Sequence, residues 1–322
     1  MLLNFSDWLV YQVFGLSRAS VFAGALDFFI YDSVKILFLL YIMIFVIGVL
    51  RTFIPQGKIK HWMAKKGEMG NVYASLFGAV TPFCSCSSLP IFLSFLKAGI
   101  PLGVAFSFLV TSPMINEYLV VIMLGLFGWK ITFLYVLGGL LIGIFSGIVI
   151  GNMRLEKYLV SDLFNGDQGV PSGGEAPIPT FKDRLIFGLD EAGTIVKKIW
   201  YWILAGVALG AFIHNYIPQE KIQSVIGGTG IFSVPIATIL GVPLYGSCAA
   251  IVPVALVLFQ KGIPLGTALS FMMAVSALSL PEAIMLRRAM KLNLILIFFG
   301  IVTIGIIIIG YVFNFLQTAL IT

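Results

Sequence analysis

Charge is scarce in this sequence. Only 11% of its 322 residues are Asp, Glu, Lys or Arg, against about 25% in an ordinary soluble domain. Cysteine and histidine are scarcer still, with three and two copies. Three cysteines cannot build a disulfide framework. There is no phosphate-binding glycine loop and no His-Glu-x-x-His helix, so nucleotide-driven transport and zinc-protease chemistry have no carrier here. No cofactor or metal is expected. The opening MLLNFSDWLV has neither a basic n-region nor a small-residue cleavage site, so the first span is expected to act as the insertion signal.

Hydrophobic residues make up 59% of the chain. Runs such as 131–150 and 292–313 are long enough to cross a bilayer. The fold class that follows is an all-α polytopic, multi-pass membrane protein. In such a protein the net charge of +6 reports loop topology, not affinity for nucleic acid. The expected partners are the lipid bilayer and a small-molecule solute. The sequence carries no signal for oligomeric state.

An internal repeat organises the chain. FIPQGKIK at 53–60 recurs as YIPQEKIQ at 216–223, and KAGIPLGVAFSF at 97–108 recurs as QKGIPLGTALSF at 260–271. Both pairs keep one offset of 163 residues, and the same offset pairs Gly78 with Gly241 and Pro90 with Pro253. A shared register over that length marks two copies of one unit. The expected organisation is an N-terminal segment 1–17, repeat unit 1 at 18–151, a cytoplasmic linker 152–180, repeat unit 2 at 181–314 and a tail 315–322. The Gly- and Pro-rich NGDQGVPSGGEAPIP at 165–179 makes the linker a solvent-exposed loop.

Each unit reads as an amphipathic stretch, a span (34–54, 198–217), a broken apolar region (70–97, 230–260), a further span (101–128, 264–286) and a last span (131–151, 292–316). If the broken region crosses, each unit has four crossings and the copies are parallel. If it is re-entrant, each has three and the copies are inverted. The re-entrant case puts 15 of the 20 basic residues on one side, with Lys197 and Lys198 inside and Lys35 outside. The four-crossing case splits them evenly. The positive-inside bias favours two inverted repeats, each of three spanning helices plus a broken re-entrant hairpin, about 8 to 10 hydrophobic segments in all.

In that frame TPFCSCSSLP, 81–90, is a hairpin tip entering from the cytoplasm. VPLYGSCAAIVP, 242–253, is its partner from outside. Broken helices meeting near mid-depth are a recurring transporter plan. Ser87 or Ser88 can cap a helix running on to Lys97, with Pro90 in its first turn. An extended C-x-C turns Cys84 and Cys86 to one face, beside a helix N-terminus that favours thiolate. A single cysteine in an apolar helix is ordinarily a small hydrophobe, but C-x-C at a break suggests a soft-ion site. The candidate binding set is Cys84, Cys86 and Cys248 with Thr81, Ser85, Ser87 and Ser247. Carboxylates at membrane depth are costly and often functional, so Glu117, Asn116 and Glu282 are candidates for coupling. Gly138 to Gly143 read as close helix packing.

TPFCSCSSLP followed by KAGIPLG and TSPMINE resembles the bacterial and archaeal permease family that includes the organoarsenical-efflux ArsP proteins, over nearly the whole chain. That resemblance implies an inner-membrane permease with about eight predicted spans exporting trivalent organoarsenicals. It also implies that Cys84 and Cys86 are the family's cysteine pair, with Cys248 as the third. Paired thiolates suit a soft As(III) centre. Two alternatives stand beside it: a membrane thiol–disulfide relay between Cys84 or Cys86 and Cys248, and a carrier for sulfur-containing anions held at the helix N-termini.

Overall fold

The computed structural model describes residues 6–17, 20–53, 69–81, 85–97, 99–160, 181–216, 230–244, 248–287 and 289–321, with some helical side chains outside that description. Its α-helices are α1 (Val21–Phe53), α2 (Met69–Val80), α3 (Ser85–Lys97), α4 (Leu102–Met114), α5 (Glu117–Phe127) and α6 (Trp129–Asn152), then α7 (Phe181–Tyr216), α8 (Ser233–Gly241), α9 (Cys248–Gln260), α10 (Leu265–Ala277), α11 (Leu280–Leu286) and α12 (Leu292–Ile321). A π-helical turn, Trp8–Val13, packs on α1.

Helix boundaries repeat with the sequence offset. Ser85 and Cys248 open α3 and α9, Leu102 and Leu265 open α4 and α10, and Phe53 and Tyr216 close α1 and α7. The two GIPLG turns share a mechanism. Gly99 and Gly262 adopt φ of 76° and 87°, a region where a side chain is strained. Their left-handed turn lets Ile100 N–H reach Phe95 O at 3.0 Å and Ile263 N–H reach Leu258 O at 3.2 Å, closing α3 and α9. Pro101 and Pro264, at ψ of 140° and 142°, then start the next helix.

Packing within unit 1 follows small residues. Gly103 of α4 lies on Gly147 and Gly151 of α6, Ser107 on Gly147, Thr111 on Gly143 and Ile115 on Gly139. Residue numbers rise on α4 as they fall on α6, so the two run antiparallel over a stripe of glycines one turn apart. The close-packing role expected around Gly138 to Gly143 is thus observed. Asn71 meets Ser107 and Gly78 meets Phe108 and Ser112, so α2 runs parallel to α4. Ser88 meets Ser112 and Phe92 meets Phe106, so α3 runs antiparallel to it. The chain therefore goes up α2, returns on α3 and goes up again on α4. In unit 2, Gly266 lies on Gly310, Gly310 on Ser270 and Gly241 on Phe271, the same contacts 163 residues on.

At least five helix pairs join the units, α1–α7, α6–α12, α5–α9, α4–α10 and α3–α11, and the glycine contacts orient two of them. Gly138 meets Ile309 and Phe313, while Gly305 meets Ile142, so α6 and α12 are antiparallel and cross where Ile142 faces its own repeat equivalent, Gly305. Gly188, early in α7, lies between Phe45 and Val49, late in α1. A further link is an antiparallel bridge, Leu159 to Met290, flanked by Val160 N–H to Ala289 O at 3.0 Å and Lys291 N–H to Tyr158 O at 2.8 Å. The first residues after α6 are therefore fastened to the α11–α12 loop.

Three expectations change. The span drawn at 101–128 is bent by 45° between α4 and α5, while the one drawn at 264–286 stands as one apolar span over Leu265–Leu286 with a short interruption between Ala277 and Leu280. Pro113 and Asn116 in one unit, and Ser279 with Pro281 in the other, cause the breaks. Second, the amphipathic stretch and the span are one continuous helix in α1 and α7. Lys35, Lys197 and Lys198 therefore lie mid-helix and are not loop charges. Third, α3 starts at Ser85, before either serine expected to cap it. Among the described residues Trp129–Asn152, Leu265–Leu286 and Leu292–Gln317 are long and apolar enough to cross a membrane, as is the α4–α5 pair taken as one span.

Candidate functional site

Both cysteine-bearing stretches open helices. Cys86 falls in the first turn of α3 and Cys248 is the first residue of α9. Ser85, between the two cysteines of the C-x-C, is already helical. Cys84 and Ser247, and the side chains of Ser85, Cys86, Ser87 and Cys248, lie outside the described residues. Pro90 has no N–H to give the carbonyl of Cys86, and Pro253 has none for Ala249. Each helix start thus presents first-turn N–H groups that have no partner within the helix itself, together with one carbonyl that lacks its N–H four residues on.

A buried hydroxyl pair fixes the first tip. Ser88 Oγ lies 2.8 Å from Ser112 Oγ, and both residues are fully buried. Ser112 is in the last turn of α4, beside the break. There the ladder bonds are replaced by side chains: Tyr135 O–H donates to Met114 O at 3.1 Å, and Asn116 Oδ1 accepts Tyr118 N–H at 2.9 Å as the cap of α5. Thr81 spends its hydroxyl proton locally, on Phe77 O at 2.8 Å or Gly78 O at 3.2 Å, closing α2. In unit 2, Leu280 N–H donates to Val242 O at 3.0 Å, which ties the second break to the end of α8.

The two carboxylates, both expected at membrane depth, separate. Glu117 is exposed at the start of α5. Glu282 is 2% exposed in the first turn of α11, and α11 packs on α7 and α3. Asn116 acts as a cap. Sequence reasoning missed Ser88, Ser112 and Tyr135 as the groups that hold the break. The signal for them was the Ser-Pro dipeptide at 112–113, followed by an Asn-Glu helix start. Among the described residues no three His, Cys, Asp or Glu side chains converge to hold a metal ion.

The ArsP_1 family model, described as "Predicted permease", matches residues 21–315, and the chain belongs to that family. UPF0718 protein MJ0584 of Methanocaldococcus jannaschii is 24% identical over 74% of this chain and 80% of its own length. UPF0718 protein YcgR of Bacillus subtilis is 22% identical over 81% and 88%. No solved structure matches.

Proposed function

We propose that this chain is a secondary permease built from two inverted repeats, 18–151 and 181–314, which moves a small thiophilic solute of the trivalent organoarsenical kind between the two hairpin tips. In a parallel duplication, equivalent helices cross in the same sense. Here α1 and α7 oppose one another, as do α6 and α12, which is what a two-fold axis in the membrane plane produces. The Leu159–Met290 bridge adds a second support. With four crossings per unit those residues fall on opposite faces of the bilayer; with three they share one. The hairpin then has to return to the side it entered. Helices α2 and α3, at 12 and 13 residues, reach about 20 Å at 1.5 Å per residue, short of a bilayer core of about 30 Å.

The observation that carries the site is the Ser88–Ser112 bond. Ser112 follows Thr111, which packs on Gly143, and Gly143 follows Ile142 at the α6–α12 crossing. In the inverted frame that crossing lies at mid-depth, so the first turn of α3, with Cys86, lies there too. Thiolates at that point suit a soft centre, and a helix start favours the thiolate form. Cys84, Cys86 and Cys248 form the sulfur set, with Ser85, Ser87, Ser247 and Thr81 around it. Buried Glu282 is better placed than Glu117 to carry a coupling proton.

The test is transport of methylarsonous acid by the purified chain in proteoliposomes. Cys84→Ser and Cys86→Ser should each cut uptake at least about tenfold, since oxygen is a harder ligand than sulfur. Cys248→Ser should cost less. Normal transport by the Cys84→Ser, Cys86→Ser double variant sinks the thiol site.

A further inference from the structure

One buried hydroxyl in unit 1 is left without a bond. Ser75 of α2 is fully buried, and its Oγ has no hydrogen-bond partner. A serine or threonine in a helix often returns its proton to a carbonyl one turn back, as Thr111 and Ser146 do here. Ser75 Oγ points instead into the seam between α2, α4 and α6. It lies 3.2 Å from where a Cβ of Gly143 would stand, and Thr111 Oγ1 sits on that same point.

One turn along the seam the arrangement recurs. A Cβ at Gly147 would fall on Ser107 Oγ, 3.0 Å from Asn71 Oδ1. The seam therefore holds four side-chain oxygens in two layers, Asn71 with Ser107 and Ser75 with Thr111. The layers are about 6 Å apart along the helices, so a point midway lies about 3 Å from each. Their protons are already placed. Ser107 O–H donates to Asn71 Oδ1 at 3.0 Å, and Thr111 O–H donates to Ser107 O at 2.9 Å. What these groups have left to offer is lone pairs. Ser75 can send its own proton to Asn71 O, one turn back, and add another. Such a set of acceptors selects positive charge and gives an anion no donor.

Packing does not require these groups. At the 163-residue offset, unit 2 has Val234 for Asn71, Ala274 for Thr111 and Ile306 for Gly143. Thr238, the equivalent of Ser75, returns its proton to Val234 O at 2.8 Å, and Ile306 is fully buried. The same three helices close there without an oxygen-lined seam. The polar seam of unit 1 is thus an addition to the frame.

We propose that this seam binds a dehydrated sodium ion, held by Asn71 Oδ1, Ser75 Oγ, Ser107 Oγ and Thr111 Oγ1. Neutral oxygens are hard ligands and suit a hard cation. No carboxylate is among them, so a divalent ion would carry uncompensated charge inside the membrane. The space is small, since a Cβ meets atoms too closely at both Gly143 and Gly147, and this favours sodium over the larger potassium. Asn71 lies two residues into α2 and Gly147 five residues from the end of α6. The ion therefore enters from the membrane face where α2 begins and α6 ends. Thr111 is followed by Ser112, whose hydroxyl is bonded to Ser88 of α3. One turn of α4 thus touches both the ion and the cysteine-bearing hairpin, which gives sodium a lever on the hairpin. The site uses no thiol and stands whether or not the reading of the preceding section holds.

The experiment is thermal unfolding of the full chain in detergent, in sodium, potassium and choline chloride at equal concentration. Sodium should raise the wild-type unfolding temperature by at least about 2 °C over choline, with potassium below sodium. Ser75→Ala and the near-isosteric Thr111→Val should each abolish that rise. In choline, Ser75→Ala should unfold no earlier than the wild type, because the hydroxyl it removes has no partner to strand. Thr238→Val, the matching position in unit 2, should keep the sodium rise. The proposal is overturned if the wild type unfolds alike in all three salts, as it would with a buried water in the seam. It is overturned equally if Ser75→Ala or Thr111→Val keeps the rise in full, or if Thr238→Val loses it as well.

Discussion

Adding one methyl group at Gly147 tests how tightly unit 1 is closed. A Cβ there would fall on Ser107 Oγ, 2.6 Å from Gly103 O and 3.0 Å from Asn71 Oδ1. Ordinary contact begins near 3.4 Å, so α4 and α6 must part by several tenths of an ångström along the whole stripe. Ser107 must also swing away from Asn71, breaking a buried bond of 3.0 Å. Overpacking costs about 1–3 kcal/mol, and stranding Asn71 Oδ1 about 1–3 kcal/mol more. The helix preference for Ala over Gly returns about 1 kcal/mol. The net loss for Gly147→Ala is then about 1–5 kcal/mol. Gly300 of α12 is the control, since a Cβ there meets nothing within 4 Å; Gly300→Ala should be neutral or gain up to about 1 kcal/mol. Thermal unfolding of both variants in one detergent gives the comparison. If Gly147→Ala unfolds no earlier than Gly300→Ala, the α4–α6 packing argument is wrong.

Two further expectations concern topology and coupling. In a background without native cysteines, single cysteines at Gln168 and at the C-terminus should label from opposite faces of intact cells; labelling from one face excludes the inverted arrangement. If Glu282 carries a coupling proton, Glu282→Gln should flatten the pH dependence of uptake while Glu117→Gln leaves it intact, and the reverse pattern would restore Glu117 to that role.

The repeat was legible because it is written in residues that do backbone work. A glycine at positive φ and a proline at a helix start tolerate few substitutes, so GIPLG survives in both units and carries the register. The breaks after Met114 and Ala277 were not legible from hydropathy, because Ile115 and Leu278 keep the run apolar across the gap. Only the caps betray them. The start of α3 was misjudged for a related reason. Ser87 and Ser88 are good caps by type, but Ser88 is bonded to Ser112 and α3 begins earlier. Exposure of the carboxylates could not be read either. Glu117 and Glu282 both open a helix after a break, and only the packing of α11 on α7 and α3 sets Glu282 apart.

The two units share a frame and differ in how it is fastened, which bears on how a two-fold carrier could rock. In unit 1, α6 offers Gly139, Gly143, Gly147 and Gly151 to α4, and backbone meets backbone along the length of the pair. The equivalent positions of α12 are Val302, Ile306, Gly310 and Asn314, and the close backbone approach is kept at the Gly310–Asn314 end, against Gly266. There α10 is held at its start by side chains: Asn314 Oδ1 accepts Gly266 N–H at 2.7 Å, and Gln317 Oε1 accepts Leu265 N–H at 2.9 Å. A zipped interface resists shear, because the packed stripe offers one register. A pair held at one end by two polar side chains can pivot about that end at lower cost. Motion that exchanges access between the two faces is therefore expected to use α10 against α12, with α4 and α6 moving as one block.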